Sequence, residues 1–356
     1  MYDLRSLGYD RYFRDFAEPD GLAGCVAGRI VAQYRERYSV QTESGISAAE
    51  ITGKLRYSAS GSQDFPVVGD WVYMMAYDDL CLIHQILPRK TVLERKAVGK
   101  SGETQTIAAN IDYAMIVQSL DLNFNINRLE RYISVSYEGR IEPVLVLNKK
   151  DLVSEDALLE SLDLIGKRIG KIPCLATSII SGEGIGMLKD QFIPGKTYCF
   201  IGSSGVGKSS LINEVAGRNL MQTGNLSGST NKGKHTTSHR ELIVLDNGGI
   251  LIDTPGMREL GITGTGAGVK KTFSQIEELA ASCKFVDCTH STEPGCALQV
   301  AIVKGIIDRS ELDHFLKLER EARHFERSKS EKRSRDKKFG RLYKEVIKRK
   351  DKSRGS

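Results

Sequence analysis

The sequence predicts a multidomain protein: a small N-terminal antiparallel β-barrel, a central α/β domain with a largely parallel sheet, and a helical C-terminal segment. Three observations carry this expectation. Up to about Lys96 the chain reads as short strands separated by polar or Gly-containing turns. From Ile111 to Ile252 apolar strands alternate with helical stretches, the rhythm of an α/β domain. Beyond about Thr263 no strand signal remains, and three cysteines gather around one histidine. A length of 356 residues suits two or three such units, placed here at 1–96, 97–262 and 263–356.

In the first unit the strands are expected at Gly24–Tyr34, Tyr38–Thr42, Ile51–Tyr57, Val68–Met75 and Leu80–Leu87. Five strands at this spacing fit an OB-fold in particular, although a generic β domain gives the same pattern. Residues 88–108 are polar and charged and read as a linker. In the second unit, strands are expected at Ile111–Ser119, Pro143–Leu147, Ile172–Ala176, Thr197–Ile201, Leu242–Leu245 and Gly249–Ile252. The helices there fall at Asn127–Tyr137, Ala157–Ile169 and Lys208–Ala216. No internal repeat is visible.

Composition narrows the class. The content is 40% hydrophobic and 27% charged, ordinary for a globular protein. No apolar run approaches the roughly 18–20 residues that span a bilayer, and the opening Met1-Tyr2-Asp3-Leu4-Arg5 lacks the shape of a secretory leader, so a cytoplasmic address is expected. Cys25, Cys81, Cys174 and Cys199 sit singly in apolar stretches, as small buried hydrophobes do. The net charge of +6 is unevenly placed. Residues 326–356 hold 14 Lys/Arg against 5 Asp/Glu, about +9, which leaves the rest of the chain near −3. A tail this basic, whether a charged helix or a disordered arm, favours a polyanion such as RNA. The barrel aromatics Tyr34, Tyr38, Tyr57, Trp71 and Tyr73 can stack on bases or fill a core.

The chemistry is concentrated in four motifs. Gly202-Ser203-Ser204-Gly205-Val206-Gly207-Lys208-Ser209, followed by Ser210, matches G-x-x-x-x-G-K-[ST] between a strand and a helix. Glycines there let backbone N–H groups converge on phosphate oxygens; Lys208 reaches the β- and γ-phosphates and Ser209 binds Mg²⁺. Asn148-Lys149-Lys150-Asp151 ends a strand, and a carboxylate at Asp151 can accept both N1–H and the 2-amino group of guanine, which adenine cannot supply. Ala176-Thr177-Ser178 would lie against the base with backbone amides toward its O6. Asp253-Thr254-Pro255-Gly256 follows another apolar strand, with Asp253 placed to hold Mg²⁺ through water and the Gly256 amide to meet the γ-phosphate.

Between these lies the polar stretch Thr223–Ser238, a natural switch loop, with Thr236 or Thr237 as the Mg²⁺ ligand of the triphosphate state. Many small GTPases place Gln directly after D-x-x-G to orient the attacking water; here the residue is Met257. His235 is the best-placed substitute, either as a catalytic group or as a residue that shapes the loop. Intrinsic hydrolysis is therefore expected to be slow. The same departure leaves room for a second reading, an RNA-binding scaffold with GTP as a structural ligand.

Cys283-x₄-Cys288-x-His290-x₅-Cys296 offers three thiolates and an imidazole, enough to saturate one tetrahedral Zn²⁺ and leave no open position. That points to a structural ion. His84, His239, His314 and His324 have no such company and read as structural or surface residues.

The order of the motifs is circularly permuted: the base-reading loop comes before the phosphate loop. This layout, with Val67-Val68-Gly69-Asp70-Trp71-Val72, Gly233-Lys234-His235-Thr236-Thr237 and the C-x₄-C-x-H-x₅-C cluster, resembles the RsgA (YjeQ) family over nearly the whole chain. The resemblance implies an OB-fold, a circularly permuted P-loop GTPase domain and a zinc-binding helical domain. It also implies a monomer that binds the 30S ribosomal subunit and its 16S rRNA late in maturation, hydrolyses GTP to GDP when stimulated by the subunit, and then leaves, with no membrane involved. The basic tail belongs to no motif of that family.

Overall fold

The computed structural model describes residues 3–16, 24–34, 37–77, 80–97, 103–220, 240–253, 261, 263–264 and 266–354, with side chains to 331. Five strands open the chain: β1 (Val26–Gln33), β2 (Tyr38–Thr42), β3 (Gly45–Ile51), β4 (Trp71–Tyr77) and β5 (Leu80–Ile86). They pair in the order β1-β2-β3-β5-β4, and β4 returns to pair with β1, so the sheet closes into a barrel. Only β3 and β5 run parallel. Ile30, Val40, Ala49, Val72 and Ile83 point inward with essentially no exposure. Tyr38, Trp71 and Tyr73 are core residues, whereas Tyr34 and Tyr57 face solvent.

Two expectations fail here. The strand placed at Ile51–Tyr57 lies earlier, at Gly45–Ile51, and residues Gly53–Ser58 form a short helix capped by the Thr52 hydroxyl on the Leu55 amide. A hairpin turn through Thr42 and Gly45 sets that register, with Thr42 bonding across to the Gly45 carbonyl. The supposed linker 88–108 contains a hairpin instead, β6 (Val92–Lys96) with β7 (Thr104–Ala109). Leu93, Ile107 and Ala108 are buried, so a hairpin that is polar toward its turn is packed on both faces at its other end. The boundary drawn at 96/97 falls between its two strands.

The second sheet comprises β8 (Tyr113–Ser119), β9 (Glu142–Asn148), β10 (Cys174–Thr177), β11 (Thr197–Ile201), β12 (Arg240–Val244) and β13 (Ile250–Asp253). The order is β10-β9-β8-β11-β13-β12, all parallel except β12. Alternate residues of β8 supply opposite faces. Ala114 and Ile116 join Leu129, Ile133, Leu158 and Ile165 of the helices Ile126–Glu138 and Glu155–Arg168. Met115 and Val117 join Leu188, Leu211 and Ile212 of the helices Ile185–Asp190 and Lys208–Ala216. A parallel sheet covered on both faces must be apolar on both, and each fully buried Leu or Ile adds about 1.5–3 kcal/mol.

The barrel joins this sheet edge to edge, through β1 and β12. At the seam Gly69 adopts φ +91°, and a Cβ there would lie 2.1 Å from the Ala109 carbonyl oxygen, so only glycine fits. Asp70 is fully buried and takes the Arg89 guanidinium in a fork, at 2.7 and 2.8 Å.

Beyond Thr263 the described residues form helices and no strand, but the stretch 281–296 that carries the cysteine cluster, expected to be helical, runs through turns and bends instead. The last helix, Arg309–Arg354, includes the basic tail. Its first part packs Leu312, Phe315 and Leu318 into the same core as Leu129 and Ile133. Beneath them is a buried ionic cluster. Glu130, without exposure, meets Arg168 at 2.8 Å and His314 at 2.6 Å. Among the described residues no helix is long and apolar enough to cross a membrane.

Candidate nucleotide site and metal centre

The central strand β11 runs out at Ile201 into the loop 202–207, and a helix starts at Lys208. That helix has no side-chain cap at its N-terminus, so its first amides remain open to an anion. The Lys208 ammonium lies against the carbonyls of Gly202 and Ser203, at 2.7 and 2.5 Å. Ser209 and Ser210 occupy the first helical turn. Val206 buries its side chain in the core below and so ties the loop down. Gly207 has φ +97°, and a Cβ would stand 2.2 Å from Asn148 Nδ2.

That clash distance locates the second motif. Asn148 ends β9 and is buried; its Nδ2 donates to the Val206 carbonyl at 2.8 Å, and its Oδ1 accepts from the Thr177 hydroxyl at 3.2 Å. One amide therefore ties the phosphate loop, the base-reading loop and the end of β10 into a single unit. The next residue, Lys149, takes a left-handed conformation at φ 63° and pairs with Asp121 at 2.9 Å. Burial pushes the Asp121 carboxyl up, but hydrogen bonds from Lys149, the Asn123 amide and the Ser119 hydroxyl outweigh it and hold the pKa down at about 2. Lys150 pairs with Glu183 and, at 3.5 Å, with Glu155. Asp151 is exposed and accepts from the Ser178 hydroxyl, which in turn accepts from the Ser181 amide at 3.1 Å.

One detail differs from expectation. The Ser178 amide does not face outward toward a base; it donates to the Glu183 carbonyl at 2.9 Å, closing the turn that Gly184 requires. The residue acts through its hydroxyl, which holds Asp151. Asp121, Glu183 and Arg128, whose Nη1 donates to the Ser203 hydroxyl at 3.0 Å, were not legible in the sequence. Each reaches a motif from 28 to 75 positions away, and no local spacing signals such a contact.

Asp253 ends β13, which lies beside β11 in register Cys199 to Ile252. Its carboxylate and the Ser209 hydroxyl thus come from the same ends of neighbouring segments. Oxygen donors of that kind suit a hard divalent cation. His235, Thr236, Thr237, Gly256 and Met257 lie outside the described residues.

In the C-terminal region the four donor atoms of Cys283, Cys288, His290 and Cys296 all lie within 4.8 Å of one another. His290 Nδ1 is 3.5 Å from Cys283 Sγ and 3.7 Å from Cys296 Sγ, and those two sulfurs are 4.0 Å apart. A tetrahedral ion bonded at about 2.3 Å to sulfur and about 2.0 Å to nitrogen sets its ligands roughly 3.4–3.8 Å apart. The cluster fits such an ion. His290 is left-handed at φ 61°, and Gln299 Nε2 holds its carbonyl at 2.6 Å. The Ala297 amide donates to Cys283 Sγ at 3.4 Å, at the start of the helix Ala297–Val303.

The RsgA GTPase family profile matches residues 86–263, which span the hairpin and both nucleotide motifs. The small ribosomal subunit biogenesis GTPase RsgA 1 of Bacteroides thetaiotaomicron is 42% identical over 325 residues, 91% of this chain and 90% of that protein. The chain belongs to the RsgA GTPase family. It is thus a GTP hydrolase, and its base-reading loop precedes its phosphate loop as in a circularly permuted GTPase. RsgA 2 of Listeria monocytogenes is 40% identical, covering 92% of this chain and 91% of its own length. The crystal structure of YjeQ from Thermotoga maritima superposes with a TM-score of 0.62 at 27% identity, covering 84% of this chain and 98% of that one. YloQ, described as a circularly permuted GTPase, gives 0.60 at 24% identity over 86% and 98%, a likeness of fold.

Proposed function

We propose that this RsgA-family chain binds GTP between the phosphate loop and the base-reading loop, and uses its hydrolysis to time departure from the maturing 30S ribosomal subunit. The observation that carries the nucleotide reading is the double hydrogen bond of Asn148, to Val206 on one side and Thr177 on the other. It makes the two motifs walls of one site, although about 50 residues separate them. In that site the loop amides from Ser203 to Ser209 and the Lys208 ammonium hold the phosphates, and Asp151, steadied by Ser178, accepts from guanine. Lys149 is a strut, locked to Asp121, and Lys150 braces the outer turn through Glu183.

Mg²⁺ would be held by Ser209 and Asp253 with Thr236 or Thr237, and it supplies charge neutralisation across the β- and γ-phosphates. His235 orients the attacking water or shapes the loop that does so. The cysteine cluster takes one structural Zn²⁺: its donors are complete without water, which removes it from the chemistry.

The barrel order, one parallel pair among antiparallel ones, supports an OB-fold working as an RNA-binding unit over residues 1–96. The hairpin Val92–Ala109 connects it to a GTPase unit over 97–262, and residues 263–356 form the zinc-bearing unit. The 16S rRNA partner rests on the basic tail and on the relatives' names, which refer to small ribosomal subunit biogenesis. We assign the chain to the cytoplasm as a monomer. The decisive experiment is phosphate release from GTP with and without added 30S subunits. Stimulation of tenfold or more supports the assignment, and equal rates would remove it.

A further inference from the structure

The helix Ile126–Glu138 touches the phosphate loop at one end and the last helix along its side, and no motif accounts for it. At its first turn Arg128 Nη1 donates to the Ser203 hydroxyl at 3.0 Å. Ser203 is held a second time, since its carbonyl receives the Lys208 ammonium at 2.5 Å, beside the Gly202 carbonyl at 2.7 Å. The side chain and the backbone oxygen of one loop residue thus connect Arg128 to the cation that meets the phosphates. We propose that Arg128 is a positioning residue for GTP hydrolysis: it fixes Ser203, and through Ser203 the seat of Lys208.

Three features make the arrangement rigid. The Asn125 side chain caps the helix by accepting from the Arg128 amide at 3.0 Å, so the base of the arginine is fixed. Further along, Arg131 forms a two-pronged bond to Glu321 of the last helix, at 2.6 and 2.8 Å. Between them Glu130 is buried against Arg168 and His314. The helix cannot slide along the sheet without breaking these ion pairs, and its arginine approaches the loop from a fixed support. A planar guanidinium has five N–H donors in a fixed fork, so Arg128 presents a rigid set of donors beside the loop. Positioning of this kind matters most at the transition state, where a misplacement of about 1 Å can cost on the order of 100-fold in rate.

The test uses the full chain with GTP in the presence of 30S subunits, comparing Arg128→Ala, Arg128→Lys, Ser203→Ala and the Arg128→Ala/Ser203→Ala pair. GDP affinity of each variant is measured alongside turnover. The expected result is a kcat about tenfold lower for Arg128→Ala, with KM and GDP affinity within about twofold of the parent. Arg128→Lys, which keeps a charge and one donor, recovers part of the loss. The pair is no slower than Arg128→Ala alone, because both changes break one connection. A kcat within twofold of the parent for Arg128→Ala would overturn the proposal. So would losses that add independently in the pair, or a fall in GDP affinity equal to the fall in kcat. Parent GDP binding and turnover in the same series report separately on the nucleotide reading itself.

Discussion

Replacing Asn148 with Ala leaves the Val206 carbonyl and the Thr177 hydroxyl facing a small cavity, both in buried surroundings. Each unsatisfied buried group costs about 1–3 kcal/mol. Nucleotide affinity should therefore fall by roughly 10–100-fold, measured by titration with a fluorescent GDP analogue, while the circular dichroism spectrum stays that of the parent. Asp151→Asn exchanges an acceptor for a donor at the point where guanine offers two N–H groups. GTP affinity should drop by at least about 100-fold, and xanthosine triphosphate, with a carbonyl at C2, should bind better than GTP. Equal preference for GTP in parent and variant would remove the base-reading role from Asp151. At this scale the sequence was legible wherever chemistry is local: the glycines, Lys208, Asp151 and the four metal donors are all set by spacing. Their braces were not. Asp121, Glu183 and Arg128 become partners only after β8, β9, β10 and β11 line up side by side.

Elements were read well where burial is two-sided and poorly where it is partial. The strand Thr197–Ile201 and the helix Lys208–Ala216 fall where periodicity places them. The hairpin Val92–Ala109 hid because Glu94, Arg95, Lys96, Thr104 and Gln105 are charged or polar, while burial is confined to Leu93 and the short run Thr106–Ala109 at its other end. The strand Gly45–Ile51 hid behind the small residues Ser47-Ala48-Ala49, whose propensity says little; pairing with β2 and β5 decides it. The last helix makes an element-scale prediction through Glu311, buried near Glu130 and Arg168. Burial raises its carboxyl to about 7; Arg168 lowers it and Glu130 raises it. A folded-state pKa above the unfolded one means that its contribution to stability is full below about 4.5 and lost as pH rises through about 7. Glu311→Gln removes the buried charge. Its melting temperature relative to the parent should be about 2–4 °C more favourable at pH 8 than at pH 5. A difference independent of pH would contradict the burial argument.

Across the whole molecule, the barrel, the nucleotide sheet and the helical end meet along shared seams rather than through free linkers. β1 pairs with β12, and the last helix packs into the core under β8. The metal cluster lies in a region where the helices Ser274–Ala280 and Ala297–Val303 are one to two turns long and could not hold the intervening chain alone. Dialysis against a strong chelator should release one zinc per chain, seen by atomic emission, and lower the melting temperature. Cys296→Ser should do the same without chelator, and GDP affinity should change by less than about threefold, since four protein donors leave no open position for a nucleotide. A large loss of GDP affinity with retained zinc would reverse that assignment. The basic tail predicts that 30S binding weakens steeply between about 50 and 200 mM salt. The permuted order was legible from the chain alone because it depends only on which motif comes first. The closure of the barrel and its edge-to-edge junction with the sheet were not, since both depend on strands that meet far from their sequence neighbours.

The most direct measurement is a crystal structure of the chain with Mg²⁺ and a non-hydrolysable GTP analogue. The account predicts the Asp151 carboxylate about 3 Å from guanine N1 and N2. In the same ligand, the phosphates should lie under the amides that precede Lys208. A nucleotide held at one of these two places but not the other would contradict it.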